Sequence, residues 1–343
     1  MRTILITGGA GFIGSNLVRY WYDNHPEDRI IVLDTLTYAG RLLNIPVRIH
    51  KDKDRFDFYL GSVTSIEMVN SVVQKSDIVV HFAAETHVTR SILESRRFFE
   101  TDVLGTHTIA NAVLKFQDQV ERFIHISTSE VYGTALYDPM DEEHPLNPCS
   151  PYASAKCGAD RLVLSYFLTY GIPAVILRPF NQYGPYQHLE KVIPRFITSA
   201  IHDEPLTIHG DGTAKRDWLY VEDTCRRIEA AIEAPLETVR GQAINIGSGE
   251  DISIIDIAHM ILQETGKPME LLVHVGDRLG QVSRHISSTE KAANLLGVGA
   301  GRPFREGLRQ TIDWYVRNEP WWREIEWMKH VKVLTDAGKE EAH

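Results

Sequence analysis

Residues 7–14 read Thr7-Gly8-Gly9-Ala10-Gly11-Phe12-Ile13-Gly14. Gly9, Gly11 and Gly14 satisfy G-x-G-x-x-G, after a β-rich run at Thr3–Thr7 (TILIT) and at the head of an apolar helical pattern from Phe12 to Tyr22. Glycines let the backbone turn tightly and approach a pyrophosphate, whose charge then rests on the helix N-terminus. The pattern is weak alone; its surroundings give it weight. The next strand, RIIVLD, ends in Asp34, 20 residues after Gly14. A carboxylate there accepts the ribose hydroxyls of a dinucleotide and repels a 2′-phosphate, so the site reads as one for NAD rather than NADP.

Outward from this unit, Phe56–Leu60, 77–82 (DIVVHF), 122–127 (RFIHIS) and 173–177 (PAVIL) read as further strands. Helical stretches lie between them near 65–74, 97–116 and 152–170. Apolar strands separated by helices predict an α/β fold, a doubly wound parallel sheet of Rossmann type covered on both faces. After Arg178 the regular alternation stops, and Pro179, Gly184, Pro185 and Pro194 break the chain into shorter elements. We therefore expect an NAD-binding domain over residues 1–180, with 217–249 returning to it. Residues 181–216 and 250–343 then form a smaller mixed α/β substrate-binding lobe.

Composition narrows the function classes. Among 343 residues, 36 Lys and Arg face 46 Asp and Glu, a net charge of −10 without a basic tail or stripe, which argues against nucleic-acid binding. No apolar run has the length of a membrane span, and the first strand begins almost at Met1, so a cytoplasmic protein is expected. Cys149, Cys157 and Cys225 make no CxxC pair, and the fifteen histidines show no HExxH-like spacing, so neither disulfides nor a metal are expected.

Tyr152 and Lys156 stand four apart at the start of a helical segment, hence on one face. A phenol titrates near 10, and a neighbouring ammonium together with a positive nicotinamide ring lowers it enough to take a proton from a substrate hydroxyl. Ser127 and Thr128 end a preceding strand. With these residues the chain resembles the extended short-chain dehydrogenase/reductase superfamily, and within it the nucleoside-diphosphate-hexose 4,6-dehydratases, the dTDP-glucose group above all. The likeness runs through 32–40 (VLDTLTYAG), 83–92 (AAETHVTRSI), 128–133 (TSEVYG), 178–184 (RPFNQYG), 216–223 (RDWLYVED) and 245–247 (NIG).

What the resemblance implies is specific. Tyr152, activated by Lys156 and helped by Thr128, deprotonates the sugar 4-hydroxyl while a tightly bound, recycled NAD takes the C4 hydride. The ketone acidifies C5–H, Glu130 removes that proton, water leaves from C6, and hydride return to C6 gives a 4-keto-6-deoxy sugar. Gly8, Gly11, Phe12, Ile13, Gly14, Asp34, Thr37, Ala83 and Ala84 fall at cofactor-contacting positions with Tyr152 and Lys156. Arg216 and Arg284 match positions that grip the diphosphate, Asn181 one at the phosphate–sugar junction, and Asn245 one close to the nucleotide; Thr86 lines the sugar pocket. Lys191 and Arg195, four apart, read as a solvated helix face, and Trp314, Trp321, Trp322 and Trp327 as core packing or a surface anchor. The family expectation is a homodimer pairing the helices near 97–116 and 152–170.

Three departures qualify the match. Ser129 stands where the dTDP-glucose enzymes carry an Asp, the acid for the leaving C6 hydroxyl, so Glu130 inherits both tasks. Ser62 replaces an Asp that contacts adenine, and Thr89 replaces a common Asp. The Thr-Ser-Glu triplet also occurs in UDP-glucuronate decarboxylases, the alternative enzymatic reading, while a non-catalytic NAD-sensing protein is the alternative of another class.

Overall fold

The computed structural model describes residues 1–276, 284–334 and 340–342, with 332–334 and 340–342 described as backbone only. Six parallel strands follow in chain order: β1 (Thr3–Thr7), β2 (Arg29–Asp34), β3 (Phe56–Leu60), β4 (Ile78–His81), β5 (Arg122–Ile126) and β6 (Ala174–Pro179). Three strands outside the sheet come next, β7 (Asn181–Tyr183), β8 (Leu206–His209) and β9 (Lys215–Tyr220), before β10 (Ala243–Ile246) joins it. The sheet order is β10-β6-β5-β4-β1-β2-β3, parallel throughout. The order reverses between β1 and β4, where the loops part at the carboxyl ends of the strands and open a crevice. The doubly wound parallel sheet expected from the alternating pattern is what the chain forms.

The inner strands β1, β2, β4 and β5 are buried on both faces, which is why their sequences are rich in Ile, Val and Leu; the edge strand β3 (FDFYL) is only partly buried. One core packs the helices Phe12–Asn24 and Val221–Glu233 on one face; the other packs Ile66–Val73, Thr106–Lys115 and Pro151–Tyr170 on the opposite face. Each fully buried Ile, Val or Leu contributes about 1.5–3 kcal/mol relative to an exposed one.

The helix Pro151–Tyr170 is punctuated by its sequence. The Ser150 hydroxyl accepts from the Ala153 N–H at 3.1 Å, Pro151 opens the first turn, and Gly171 ends it with φ 71°. The helix expected near 97–116 differs from expectation: Arg96–Phe98 and Thr106–Lys115 are joined by a π-turn, Phe99–Gly105. The widened turn buries Asp102 against the Glu85 N–H and seats Gly105 where a Cβ would lie 2.6 Å from Val63 Cγ2.

The second layer contains β11 (Asp251–Ser253), β12 (Leu272–Val275) and β13 (Arg284–His285). Strands β7, β9, β11 and β13 form one small sheet, and β8 pairs with β12. A separate core holds the helices Val192–Ile201, Ile254–Thr265 and Phe304–Arg317 together with Trp322. Trp314 and Trp321 pack against it, whereas Trp327 is exposed. This layer is also tied to the loop after β2. Arg41 donates to the Trp321 carbonyl at 2.7 Å and pairs with Glu324, and Trp321 Nε1 donates to Asn44 Oδ1 at 2.9 Å. Asn44 in turn donates to the Ala10 carbonyl at 2.7 Å, within the glycine loop itself.

Candidate active site

The two layers enclose a cleft of about 970 Å³ above the carboxyl ends of β1, β4 and β5. Its first wall is the glycine loop. Gly8 has φ 69°, and a Cβ there would lie 2.7 Å from Ala83 N; one on Gly14 would lie 2.4 Å from the Gly8 carbonyl oxygen. No side chain caps the helix that starts at Phe12, so its first N–H groups remain available to an anion in the cleft. Asp34 is held by the Ala10 and Leu36 N–H groups at 2.9 and 2.8 Å. Burial pushes its carboxyl up, and backbone N–H donors, Leu36 first, pull it down. A glycine cradle no side chain fits, an uncapped helix start and a fixed carboxylate suit a dinucleotide. Gly8, Gly11, Phe12, Ile13, Gly14, Asp34, Thr37, Ala83 and Ala84 all line this cleft.

The second wall carries the reactive groups. After β5 the chain makes a single 3-10 turn, Ser129–Tyr132, started by the Thr128 hydroxyl accepting from the Glu130 N–H at 3.2 Å. Thr128 and Glu130 face the cleft with Tyr152 and Lys156. Lys156 donates to the Ile126 carbonyl at 2.6 Å. Burial lowers the Lys156 ammonium, and the Asp102 and Asp160 carboxylates raise it. Burial pushes the Tyr152 phenol up, the Thr128 hydrogen bond pulls it down, and the Asp102 and Glu130 carboxylates push it further up. The chain's own groups thus keep Tyr152 protonated; the positive nicotinamide ring on which the expected lowering also depends comes with the bound cofactor.

Beneath the turn lies a buried polar network. Ser127 donates to Asp160 at 2.7 Å, and Arg178 donates to both Asp160 oxygens at 2.9 and 3.1 Å and to the Tyr132 hydroxyl at 2.8 Å. The Arg178 guanidinium holds the Asp160 carboxyl far below its ordinary range, overcoming burial. This network fixes the end of β5 and the far end of the turn to the helix bearing Tyr152 and Lys156.

On the substrate side, Thr86, Asn181 and Arg216 line the same cleft. Three residues named from the sequence do not. Ser129 is buried beneath the turn, because consecutive residues of a 3-10 turn point in different directions and Thr128 and Glu130 take the open side. Asn245 is fully buried; its amide accepts from the Tyr132 hydroxyl at 2.7 Å and donates to the Met140 carbonyl at 3.0 Å. Arg284 is exposed and pairs with Asp138 and Asp251 at 2.6 and 2.7 Å, next to Lys215 in the β13–β9 register. Ser62 and Thr89, two of the three departures from the family pattern, both line the cleft.

Lys191 and Arg195 are not a solvated face. Lys191 lines the cleft and donates to the Thr86 carbonyl at 3.2 Å, and Arg195 donates to the Thr207 carbonyl at 3.2 Å. Sequence reasoning missed Glu190, whose side chain is 1 % exposed. It accepts from the Tyr38 hydroxyl at 2.9 Å and Arg90 at 3.1 Å. Burial raises the Glu190 carboxyl, but His87, Lys191, His188 and Arg90 outweigh it and bring it down to about 2. No neighbour in sequence signals this, because Tyr38 and Arg90 reach Glu190 from distant parts of the chain.

A family model described as GDP-mannose 4,6 dehydratase matches residues 5–311. The dTDP-glucose 4,6-dehydratase of Streptomyces niveus is 38% identical over 327 residues, 94% of this chain and 95% of that protein. The crystal structure of a double mutant of DesIV, a dTDP-glucose 4,6-dehydratase from Streptomyces venezuelae solved with NAD bound, superposes with a TM-score of 0.88 at 36% identity, covering 95% of this chain and all of that one. UDP-glucuronic acid 4-epimerase from Bacillus cereus shares the fold at 30% identity and a TM-score of 0.85, covering 92% of this chain and 99% of that one. The Glu130 carboxylate in the cleft fits a proton abstraction at carbon that 4-epimerisation does not need. The chain belongs to the GDP-mannose 4,6-dehydratase family of the short-chain dehydrogenase/reductase superfamily and is an NAD-dependent nucleoside-diphosphate-sugar 4,6-dehydratase.

Proposed function

We propose that the cleft works as follows on a nucleoside-diphosphate hexose. Bound NAD supplies a reversible two-electron acceptor and donor, seated on the glycine cradle and Asp34. Tyr152, hydrogen-bonded by Thr128 and held as a phenolate by Lys156 and the positive nicotinamide ring when NAD is bound, takes the proton of the sugar O4. Glu130 removes the C5 proton made acidic by the C4 ketone and passes it to the departing O6, since it is the one carboxylate on the open side of the turn. Arg216 neutralises diphosphate charge from the second layer, with Asn181 at the phosphate–sugar junction and Thr86 beside the sugar. The observation that carries this reading is the gathering of Thr128, Glu130, Tyr152 and Lys156 on one wall of the glycine-lined cleft.

The named activity of the relatives makes dTDP-glucose the first substrate to test. Purified protein is incubated with dTDP-glucose, GDP-mannose, UDP-GlcNAc and UDP-glucuronate, and the products are weighed. Loss of one water supports the dehydratase on that base and sugar; loss of carbon dioxide from UDP-glucuronate overturns it. Glu130→Gln should still reduce bound NAD on substrate addition but release no dehydrated product, and unchanged product formation removes Glu130 from its role.

The reading includes a homodimer. Phe99 and Leu104 on one helix and Leu168 and Tyr170 on the other are exposed apolar residues on the two helices expected to pair. Light scattering at twice the chain mass supports the pairing, and monomers at all concentrations refute it. No helix among the described residues is long and apolar enough to cross a membrane. Three free cysteines support a reducing, cytoplasmic setting.

A further inference from the structure

His285 is a fully buried imidazole that the chemistry above leaves without a task. It is the second residue of β13 and does not line the cleft. Its Nε2 lies 2.5 Å from the Gly133 carbonyl oxygen, and the Phe180 ring stands edge-on to it at 6.2 Å. Its Nδ1 is buried with no partner among the described residues. A carbonyl only accepts, so Nε2 carries the ring proton and Nδ1 is the bare nitrogen. Burial pushes the imidazole down, against the Glu130 carboxylate and the Gly133 bond, which raise it; the lowering prevails and the ring is neutral at neutral pH. A residue that merely filled this space would not leave a polar atom unsatisfied in it. What the imidazole adds over an apolar ring is the bond to Gly133.

Gly133 ends the turn that carries Glu130. Its N–H donates to the Glu130 carbonyl at 3.2 Å, closing the turn that Thr128 opens. Its φ of 67° and ψ of −149° set the direction of its carbonyl, and a Cβ there would lie 1.9 Å from the Asn147 carbonyl oxygen. Gly133 therefore holds Glu130 through its N–H and His285 through its carbonyl. The Arg178–Tyr132 bond fixes a side chain at the far end of the turn; His285 fixes the backbone there.

The strand that presents His285 is itself fixed to the substrate layer. His285 stands opposite Arg216 in the β13–β9 register, and Arg216 lines the cleft. Beyond His285, the Ile286 carbonyl accepts from the Met140 N–H and the Ser288 N–H donates to the Met140 carbonyl, both at 2.8 Å. Ser287 donates to Asp217 Oδ2 through its N–H at 3.1 Å and its hydroxyl at 2.5 Å. Asp217 follows Arg216 in β9, so one strand anchors both the diphosphate grip and the segment behind His285.

We propose that His285 is a positioning residue for Glu130: its Nε2–H holds the Gly133 carbonyl and so keeps the turn where the Glu130 carboxylate meets the C5 proton. Because β9 carries Arg216 as well, the strand that grips the diphosphate also sets the distance from there to the C5 base. No bond is made or broken at His285, which touches neither substrate nor cofactor. Oxidation at C4 depends on Tyr152 and Lys156, borne by a different element, so loss of the His285 donor falls on the elimination and not on the oxidation.

The proposal rests on the dehydratase reading, and its test separates the two. His285→Leu removes the donor and keeps apolar volume, whereas His285→Gln carries an amide N–H to nearly the place of Nε2. For both variants and wild type, kcat and KM are measured on the sugar nucleotide that wild type dehydrates. The fraction of bound NAD that is reduced in the steady state is read from nicotinamide absorbance. His285→Leu should lower kcat by about tenfold to a hundredfold with KM within about threefold, as a displacement of about 1 Å at a reacting group does. Its reduced fraction should exceed that of wild type, because the ketone and the reduced cofactor wait for a slow elimination. His285→Gln should recover kcat to within about fivefold of wild type and return the reduced fraction towards its level. Wild-type kcat and reduced fraction in His285→Leu overturn the proposal. So does a His285→Leu whose kcat and Tm fall while the reduced fraction stays at the wild-type level, as a purely structural role would give. If His285→Leu does not fold, His285→Asn, whose amide stops short of Gly133, replaces it and is read in the same way. Failure of the dehydratase reading looks different: wild type then makes no dehydrated product from any sugar nucleotide. Nitrogen NMR of isotope-labelled histidine, which needs no substrate, still tests the bond in that case. A His285 ring protonated on Nε2 supports it, and one protonated on Nδ1 overturns it.

Discussion

The Lys156 ammonium donates to the carbonyl oxygen of Ile126 at 2.6 Å, bridging the helix Pro151–Tyr170 and the last residue of β5. With the Ser127–Asp160 hydrogen bond, this contact sets the spacing between the strand end that leads into Thr128 and the helix face that carries Tyr152. Lys156→Met keeps the aliphatic stem and removes the charge. Its kcat should fall by about 10²–10⁴-fold with the fold intact. Product formation alongside circular dichroism checks this, and a kcat within threefold of wild type sinks the assigned role.

Arg178 and Asp160 are 2 % and 0 % exposed in their side chains and pair at 2.9 Å. Arg178→Met leaves a buried carboxylate without its main partner and should destabilise the protein by about 3–5 kcal/mol in urea unfolding. Adding Asp160→Asn should recover part of that loss, because the unpaired charge is then gone. Two additive losses would contradict the pairing argument.

His81 and His125 are buried, and desolvation lowers His81 to about 3 and His125 well below its ordinary value. The unfolded chain binds protons on both as pH falls below about 6.5, while the folded chain does not. Stability present above that pH is therefore lost on acidification, at about 1.4 kcal/mol per pH unit for each histidine. Both His125 ring nitrogens are buried without partners, so His125→Leu removes a titrating group without breaking a bond. Urea midpoints at several pH values should show a shallower slope in this variant, and an identical slope counts against it.

Gly14→Ala places a methyl group 2.4 Å from the Gly8 carbonyl oxygen, a contact with backbone that no rotamer relieves. The loop must shift, and with it the cradle for the pyrophosphate. Protein purified with this change should carry less than about a tenth of the wild-type NAD, measured in the supernatant after denaturation. Full cofactor content would separate the glycine from the cradle.

The sheet was legible because most of its strands are nearly unbroken apolar runs between helical periods, and β1, β2 and β3 have the bounds the pattern predicts. In the reactive wall the i,i+4 spacing of Tyr152 and Lys156 set their shared face, whereas Thr128 and Glu130 were read through the resemblance of the stretch TSEVYG. What stayed hidden depends on partners far apart in the chain. Glu190 is buried because Tyr38 and Arg90 arrive from 152 and 100 residues away. The partners of Arg284 and Asn245 are equally remote: Asp138 and Asp251 take up the first, Tyr132 and Met140 the second. Nothing adjacent in sequence reveals that these polar groups are already satisfied.

The contacts from Arg41 and Asn44 to Trp321 also constrain how the enzyme exchanges its cofactor. The segment that follows Asp34 is anchored at one end to the glycine loop and at the other to the opposite layer, so it cannot swing aside as an independent flap. Moving it would break a salt bridge, two hydrogen bonds and the edge-on ring contacts of Trp321 with Tyr186 and Trp314 together. A wall anchored at both ends suits a dinucleotide kept as a part of the machine rather than exchanged as a second reactant.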